Sequence, residues 1–252
     1  MMEHPTSIFR FKRFSVVNER SAMKVNTDGV LLGALMTIRP EDRRLLDVGT
    51  GTGTIALMAA QRLSDMLEPQ SGDSADVSVE AIDIDEVSAE EASINFGNSP
   101  WASILKAQHA SLEEFSAEAG TYDLIFSNPP YFDSSLPAPE QRRSNARHTS
   151  TGLSYRELME FASERLSDKG RISVVLPAAC EADLCRYARM CGLHLQRIVR
   201  IRTVPRKEPG RLVAEFSRER CAEPSELMLT IQHEGKYTQE YLSLMRGFYL
   251  FA

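Results

Sequence analysis

The chain has 252 residues, 42% of them hydrophobic and 25% charged, with a formal net charge of −6. That length supports one domain whose core needs neither disulfides nor metal, and the acidic balance argues against a protein that coats nucleic acid, while leaving room for a local basic face. No apolar run reaches membrane-spanning length and residues 1–10 lack the apolar core of a signal peptide, so a cytoplasmic location is expected.

In chain order, residues 9–17 alternate Phe9, Phe11 and Phe14 loosely with Arg10, Lys12 and Arg13 and predict a short strand or hairpin. Residues 24–29 form a turn into an apolar helix over 30–37, capped by Asp28 or Thr27. A strand is expected over 44–48. The helix after it carries Ile55, Met58, Ala59 and Leu63 at helical spacing. Residues 68–76 read as a solvated loop. A second strand over 77–82 runs into Asp83 and Asp85, and a helix over 86–96 stops at Gly97-Asn98. Further strands are expected near 104–108 and over 122–127.

Residues 132–152 form a long polar loop with Arg142, Arg143, Arg147 and His148. Ser154-Tyr155-Arg156-Glu157 is a capping box. It opens a helix that Gly170 is expected to end before a strand over 171–176. The next helix carries Leu184, Tyr187, Ala188 and Cys191 on one face. Cys180 and Cys191 share a face of that helix roughly 16 Å apart, with Cys185 elsewhere, so no metal site is expected there and the thiols read as buried and reduced. Strands over 193–204, 212–217 and 227–232 and a helix over 239–249 complete the chain.

Alternating strands and helices imply a three-layer α/β protein with a mainly parallel sheet. We expect a single domain, with an N-terminal hairpin and helix over 1–40, a core over 41–220, and a C-terminal strand and helix over 221–252. Ligands of such sheets sit beyond the carboxyl ends of the strands. Two motifs fall at such ends.

The first is Asp47-Val48-Gly49-Thr50-Gly51-Thr52-Gly53. Its glycines permit a tight turn and close approach of a ligand, which the free N–H groups opening the next helix can meet. Asp83, at the end of the second strand, is placed to accept both hydroxyls of a ribose. Nicotinamide enzymes use a similar pair, so this motif does not choose a cofactor. The second motif is Asn128-Pro129-Pro130-Tyr131. Two prolines offer carbonyls without N–H donors. Beside an amide and a flat ring they make a cluster of acceptors suited to an amino group on a planar base.

This pair of motifs resembles that of the S-adenosylmethionine-dependent methyltransferases that act on amino groups: N6 of adenine, N2 of guanine or the amide of glutamine. The resemblance implies a seven-stranded, Rossmann-like class I methyltransferase fold and S-adenosyl-L-methionine as cofactor. In such a site the Asn128 oxygen and Pro129 carbonyl each accept one N–H, so that the nitrogen pyramidalises toward the methyl donor, and Tyr131 stacks on the flipped ring. The segments 11–14, 23–34 and 98–101, the basic loop after Tyr131 and the terminal Phe248-Tyr249-Leu250-Phe251 narrow the likeness further. They resemble the bacterial tRNA1(Val) adenosine-37 N6-methyltransferases over nearly the whole chain.

The resemblance implies that Gly49 and Gly51 lie under the methionine part of the cofactor and that Asp83 holds its ribose, with Asp47, Thr50, Ile84 and Asn128 also among the cofactor-binding residues. Ala110 and Ser111 stand where such enzymes often carry an adenine-binding Asp, and Lys24, Thr27 and Asp28 close the pocket from below. The partner implied is the anticodon loop of a tRNA, with no membrane, no metal and a monomeric enzyme. Lys12, Arg13, Arg142, Arg143, Arg147, Arg206 and Lys207 are the expected phosphate contacts, and Phe9, Phe11 and Phe14 are available to stack on unpaired bases, with core packing the expected role for at least one of the three. Two rival substrates use the same acceptors: a glutamine amide in a release factor and guanine N2 in rRNA. The first goes with a helical domain ahead of the glycine motif, where this chain has 46 residues that read as hairpin, turn and helix. A tRNA-binding module without catalysis is the alternative outside the enzymes.

Overall fold

The computed structural model describes residues 7–67, 77–129 and 153–252. The expected loops over 68–76 and 132–152 lie outside them, as do Pro130, Tyr131, Arg142, Arg143 and Arg147.

Strands β1 (Ile8–Arg10) and β2 (Ser15–Val17) form the N-terminal hairpin. Helix α1 spans Thr27–Leu35, and its cap is Asn26, whose side chain accepts the amide of Gly29 at 2.8 Å. Neither Thr27 nor Asp28 caps it: both lie inside the first turn. Next come β3 (Arg44–Val48), α2 (Thr54–Met66), β4 (Ser78–Asp83), α3 (Glu86–Gly97), β5 (Leu105–His109), α4 (Leu112–Ser116) and β6 (Tyr122–Ser127). The capping box at Ser154 is present and opens α5 (Tyr155–Arg165).

That helix ends earlier than Gly170, because β7 (Leu166–Pro177) begins at once. Gly170 instead sits at an irregularity between β6 and β7, where a Cβ would stand 2.6 Å from the Tyr122 carbonyl oxygen. Helix α6 (Glu181–Met190), β8 (His194–Arg202), β9 (Arg211–Ser217) and β10 (Ser225–Thr230) follow. A small hairpin, β11 (Gln232–His233) and β12 (Lys236–Tyr237), leads to α7 (Gln239–Met245). Cys180, Cys185 and Cys191 lie in and beside α6, only partly buried, and form no disulfide.

The main sheet has eight strands in the order β10-β8-β9-β7-β6-β3-β4-β5. Seven of them make the expected core. The eighth, β10, pairs parallel to β8 and extends the sheet at its edge. Only β9 runs against its neighbours. One face of the sheet buries Leu31, Leu57, Met58, Ala92 and Met245 beneath α1, α2, α3 and α7; the other buries Phe115, Leu158, Ala162 and Leu184 beneath α4, α5 and α6. Phe11 and Phe14 belong to the first of these cores, stacked with centroids 4.4 Å apart. They are packing residues, so of the three expected stacking rings only Phe9 stays partly exposed.

At the end of the sheet opposite the strand carboxyl ends, Arg171 gives both terminal guanidinium nitrogens to buried Asp42, at 3.0 and 2.6 Å. Glu215 accepts the amide and hydroxyl of Thr37, and Arg62 reaches the carbonyls of Gly33 and Met36. These charged groups satisfy the carbonyl end of α1 and its exit, which would otherwise be buried without partners.

Candidate active site

The carboxyl ends of β3, β4, β5, β6 and β7 share one edge of the sheet, as does the start of antiparallel β9. Both motifs therefore meet there. Gly49, Gly51 and Gly53 all have φ between 57° and 79°, the left-handed region that favours glycine. Their surroundings separate their roles. A Cβ on Gly53 would stand 2.5 Å from the Phe96 ring, and one on Gly51 3.1 Å from the Met23 carbonyl oxygen, whereas one on Gly49 would meet, among the described residues, only Leu153, at 3.8 Å. Gly53 is thus a packing glycine, Gly51 lies against the N-terminal segment, and Gly49 opens onto the edge.

The turn is pinned from β4. The Ile82 carbonyl accepts the amides of Gly49 and Thr50 at 2.9 and 3.0 Å. Asp83 accepts the amide of Gly51 through Oδ2 at 2.8 Å and that of Asp85 through Oδ1 at 2.9 Å. Burial pushes the Asp83 carboxyl above its ordinary pKa, and these two amides oppose the shift. Each oxygen retains a lone pair for a further donor. Asp85 does a different job: it caps α3 through Ser88.

Asp47 is fully buried. Its Oδ2 accepts the Thr50 hydroxyl at 2.8 Å, while Oδ1 has no partner in hydrogen-bond geometry among the described residues. Burial raises its pKa to about 7, the charge of Asp83 adds to that, and the Thr50 hydroxyl and Ala56 amide pull the other way.

Ile84 is 55% exposed beside Asp83, and its carbonyl meets Nε2 of His109 at 3.1 Å. The Ala110 amide donates to the Asp83 carbonyl at 3.0 Å. Ser111 is the N-cap of α4, its hydroxyl donating to Glu114 at 2.8 Å. Lys24 and Thr27 are exposed at the start of α1, and Asp28 pairs with Arg211 at 2.7 Å.

Asn128 follows β6, only 6% exposed, beside a Ser127 hydroxyl that donates to the Val48 carbonyl at 2.6 Å. That bond ties the end of β6 to the end of β3 and sets the two motifs side by side. The Asn128 Nδ2 donates to Sδ of Met23 at 3.6 Å. Pro129 is buried next to it.

Sequence reasoning missed the clamp that brings Met23 here. Glu91, buried on α3, accepts the amides of Glu19, Arg20 and Ser21. One turn on, Asn95 binds both backbone groups of Val17 and the Thr52 carbonyl. The one available signal was Glu91 and Asn95 themselves, polar residues four apart on the face that packs inward.

The basic residues separate into two kinds. Lys12 donates to the Arg246 and Ala252 carbonyls at 2.8 and 2.6 Å, and Arg13 pairs with Asp65 while lying over the Trp101 ring, 5.4 Å from its centroid. Both tie distant segments of the chain together and are exposed. Arg197, Arg200, Arg202, Arg211 and Arg218 are likewise committed to carboxylates, carbonyls or a hydroxyl within the fold. Arg206 and Lys207 extend into solvent in the turn between β8 and β9, at the same edge as Asn128.

A family profile described as "UPF0020: RMKL-like, methyltransferase domain" matches residues 34–189. The tRNA1(Val) (adenine(37)-N6)-methyltransferase of Flavobacterium psychrophilum is 38% identical over 96% of this chain and 99% of its own. The enzyme of the same name from Parabacteroides distasonis is 39% identical, over 96% of this chain and 97% of its own. The chain belongs to this methyltransferase family.

Among solved structures, a predicted O-methyltransferase from Agrobacterium tumefaciens superposes with a TM-score of 0.61 at 18% identity, covering 88% of this chain and 96% of that one. The 16S rRNA N2 G1207 methyltransferase of T. thermophilus, in complex with AdoMet and guanosine, gives 0.55 at 17% identity, over 87% of this chain and 52% of that one. These likenesses establish the α/β Rossmann-like fold of S-adenosylmethionine-dependent methyltransferases. No helix among the described residues is long and apolar enough to cross a membrane.

Proposed function

We propose that this protein transfers a methyl group from S-adenosylmethionine to N6 of adenine 37 in tRNA1(Val). Similarity at 38–39% identity across nearly the full length of both chains carries the reading. The edge where Asn128 stands beside the glycine turn supports it.

The residues present suit the cofactor. Among the described residues, the space over Gly49 is a cradle that a Cβ would partly fill. The partnerless Asp47 Oδ1 suits the α-ammonium of a methionine. Asp83 keeps lone pairs for ribose hydroxyls, and exposed Ile84 offers an apolar wall for an adenine, with Ala110 and Ser111 beyond it. Lys24, Thr27 and Asp28 form the lower wall. The bound cofactor supplies a methyl group on a sulfonium, an electrophile strong enough that no strong base is required. The chain supplies positioning and two acceptors. Asn128 Oδ1 and the Pro129 carbonyl each take one N–H of the amino group, and Pro130 and Tyr131 complete the motif, the ring stacking on the base.

Arg206 and Lys207 serve as phosphate contacts at the mouth, joined by Arg142, Arg143 and Arg147. The protein works as a single-domain monomer without metal, in the cytoplasm where tRNA is modified. The test is methyl transfer from labelled S-adenosylmethionine to bulk unmodified tRNA, followed by digestion and identification of the nucleoside. N6-methyladenosine confined to a valine tRNA is expected. Label in rRNA or in a release factor, with none in tRNA, would move the substrate and keep the amino-group chemistry.

A further inference from the structure

We propose that Met23 is a positioning residue for methyl transfer, its thioether holding the Asn128 carboxamide so that Oδ1 faces the incoming amino group. This rests on the reading of the protein as an amino-group methyltransferase and says how its acceptor is oriented.

The two ends of a carboxamide have nearly the same shape, so packing alone selects poorly between its two flipped states. A neighbour that can accept but not donate does select. A thioether is such a group. With Sδ 3.6 Å from Nδ2, the NH2 end of Asn128 turns toward Met23 and the oxygen turns away. The opposite flip would aim N–H groups at the N–H groups of the substrate. Asn128 is 6% exposed, so its contact with Met23 is shielded from bulk water.

Met23 is itself held in place. The Ser21 hydroxyl donates to the Met23 carbonyl at 3.1 Å and lies 2.9 Å from the Ser88 hydroxyl, while the Glu91 carboxylate holds the Ser21 amide. The same Met23 carbonyl lies against Gly51. One residue therefore meets the glycine turn through its backbone and the amino-group acceptor through its side chain. A side-chain substitution separates the two contacts.

Met23→Leu removes the acceptor at similar volume. The readouts are the single-turnover rate constant for methyl transfer at saturating tRNA, tRNA affinity, S-adenosylhomocysteine binding by calorimetry, and the thermal midpoint. Met23→Leu is expected to slow transfer about 3- to 10-fold, the worth of one modest hydrogen bond. Both affinities and the midpoint stay unchanged. Met23→Ala serves as the acceptor-free variant if Leu disturbs folding. Transfer at the wild-type rate without an acceptor overturns the proposal. So does a loss that follows cofactor affinity, tRNA affinity or the thermal midpoint rather than the rate constant at saturation. A wild-type protein that makes no N6-methyladenosine would overturn the underlying function instead, so the two failures are distinguishable.

Discussion

The Asp83 carboxylate, at the end of β4, accepts the amide of Gly51, in the turn after β3, at 2.8 Å. A group proposed to bind ribose is therefore also a strut of the glycine turn. Removing it costs the ligand contact and the shape of the cradle together. Asp83→Ala is expected to weaken S-adenosylhomocysteine binding about 10- to 100-fold, from loss of charge-assisted hydrogen bonds. Calorimetry checks this; affinity near wild type would remove Asp83 from the site.

Asn128 is proposed to offer its acceptor to the substrate, and its side chain is bonded to Met23. Asn128→Ala is expected to abolish methyl transfer while cofactor affinity stays near wild type. Full activity in that variant would rule out the assigned mechanism.

Asp47, raised to about 7 by burial, gives a pH dependence of definite sign. Its pKa in the unfolded chain is about 3.9. Between those values the folded state holds a proton that the unfolded state has lost, so this group lowers stability as pH rises from about 4 to about 7, and the penalty is constant above that. Asp47→Asn in the cofactor-free protein should raise the thermal midpoint at pH 8, with the difference shrinking toward pH 4. A difference independent of pH would contradict the assigned titration.

Arg206 and Lys207 are the exposed cations of the turn between β8 and β9. Their joint replacement by Ala is expected to weaken tRNA binding and to reduce the slope of log affinity against log salt by about 1 to 2. An unchanged slope would assign phosphate binding elsewhere.

The buried pair of Asp42 and Arg171 tests the fold rather than the site. Asp42→Ala leaves a buried guanidinium without its carboxylate and is expected to cost about 3–5 kcal/mol in urea unfolding. Cofactor affinity measured on the folded protein should not move.

The elements of the sheet were legible because each is written locally. The strand Tyr122–Ser127 lies where its apolar run predicts it, and the Ser154 box opens α5 as its four residues predict. Gly170 misled because a glycine that stops a helix and one that fits an irregular strand pairing look alike in sequence. Charge counting is blind to such partners too: it does not reveal that Arg200 already holds Glu181 and Glu226, or that Arg211 holds Asp28.

By itself the sequence determined the α/β class, the glycine turn and the position of Asn128 at a strand end. Those depend on backbone conformations that a few adjacent residues dictate. Only the tertiary structure decided what surrounds them. Met23 meets Asn128 across 105 residues, Glu91 gathers amides some 70 residues away, and Lys12 reaches the carbonyl of Ala252. Such pairs follow from strand order and register, which bring distant side chains within bonding distance, and no local pattern encodes them.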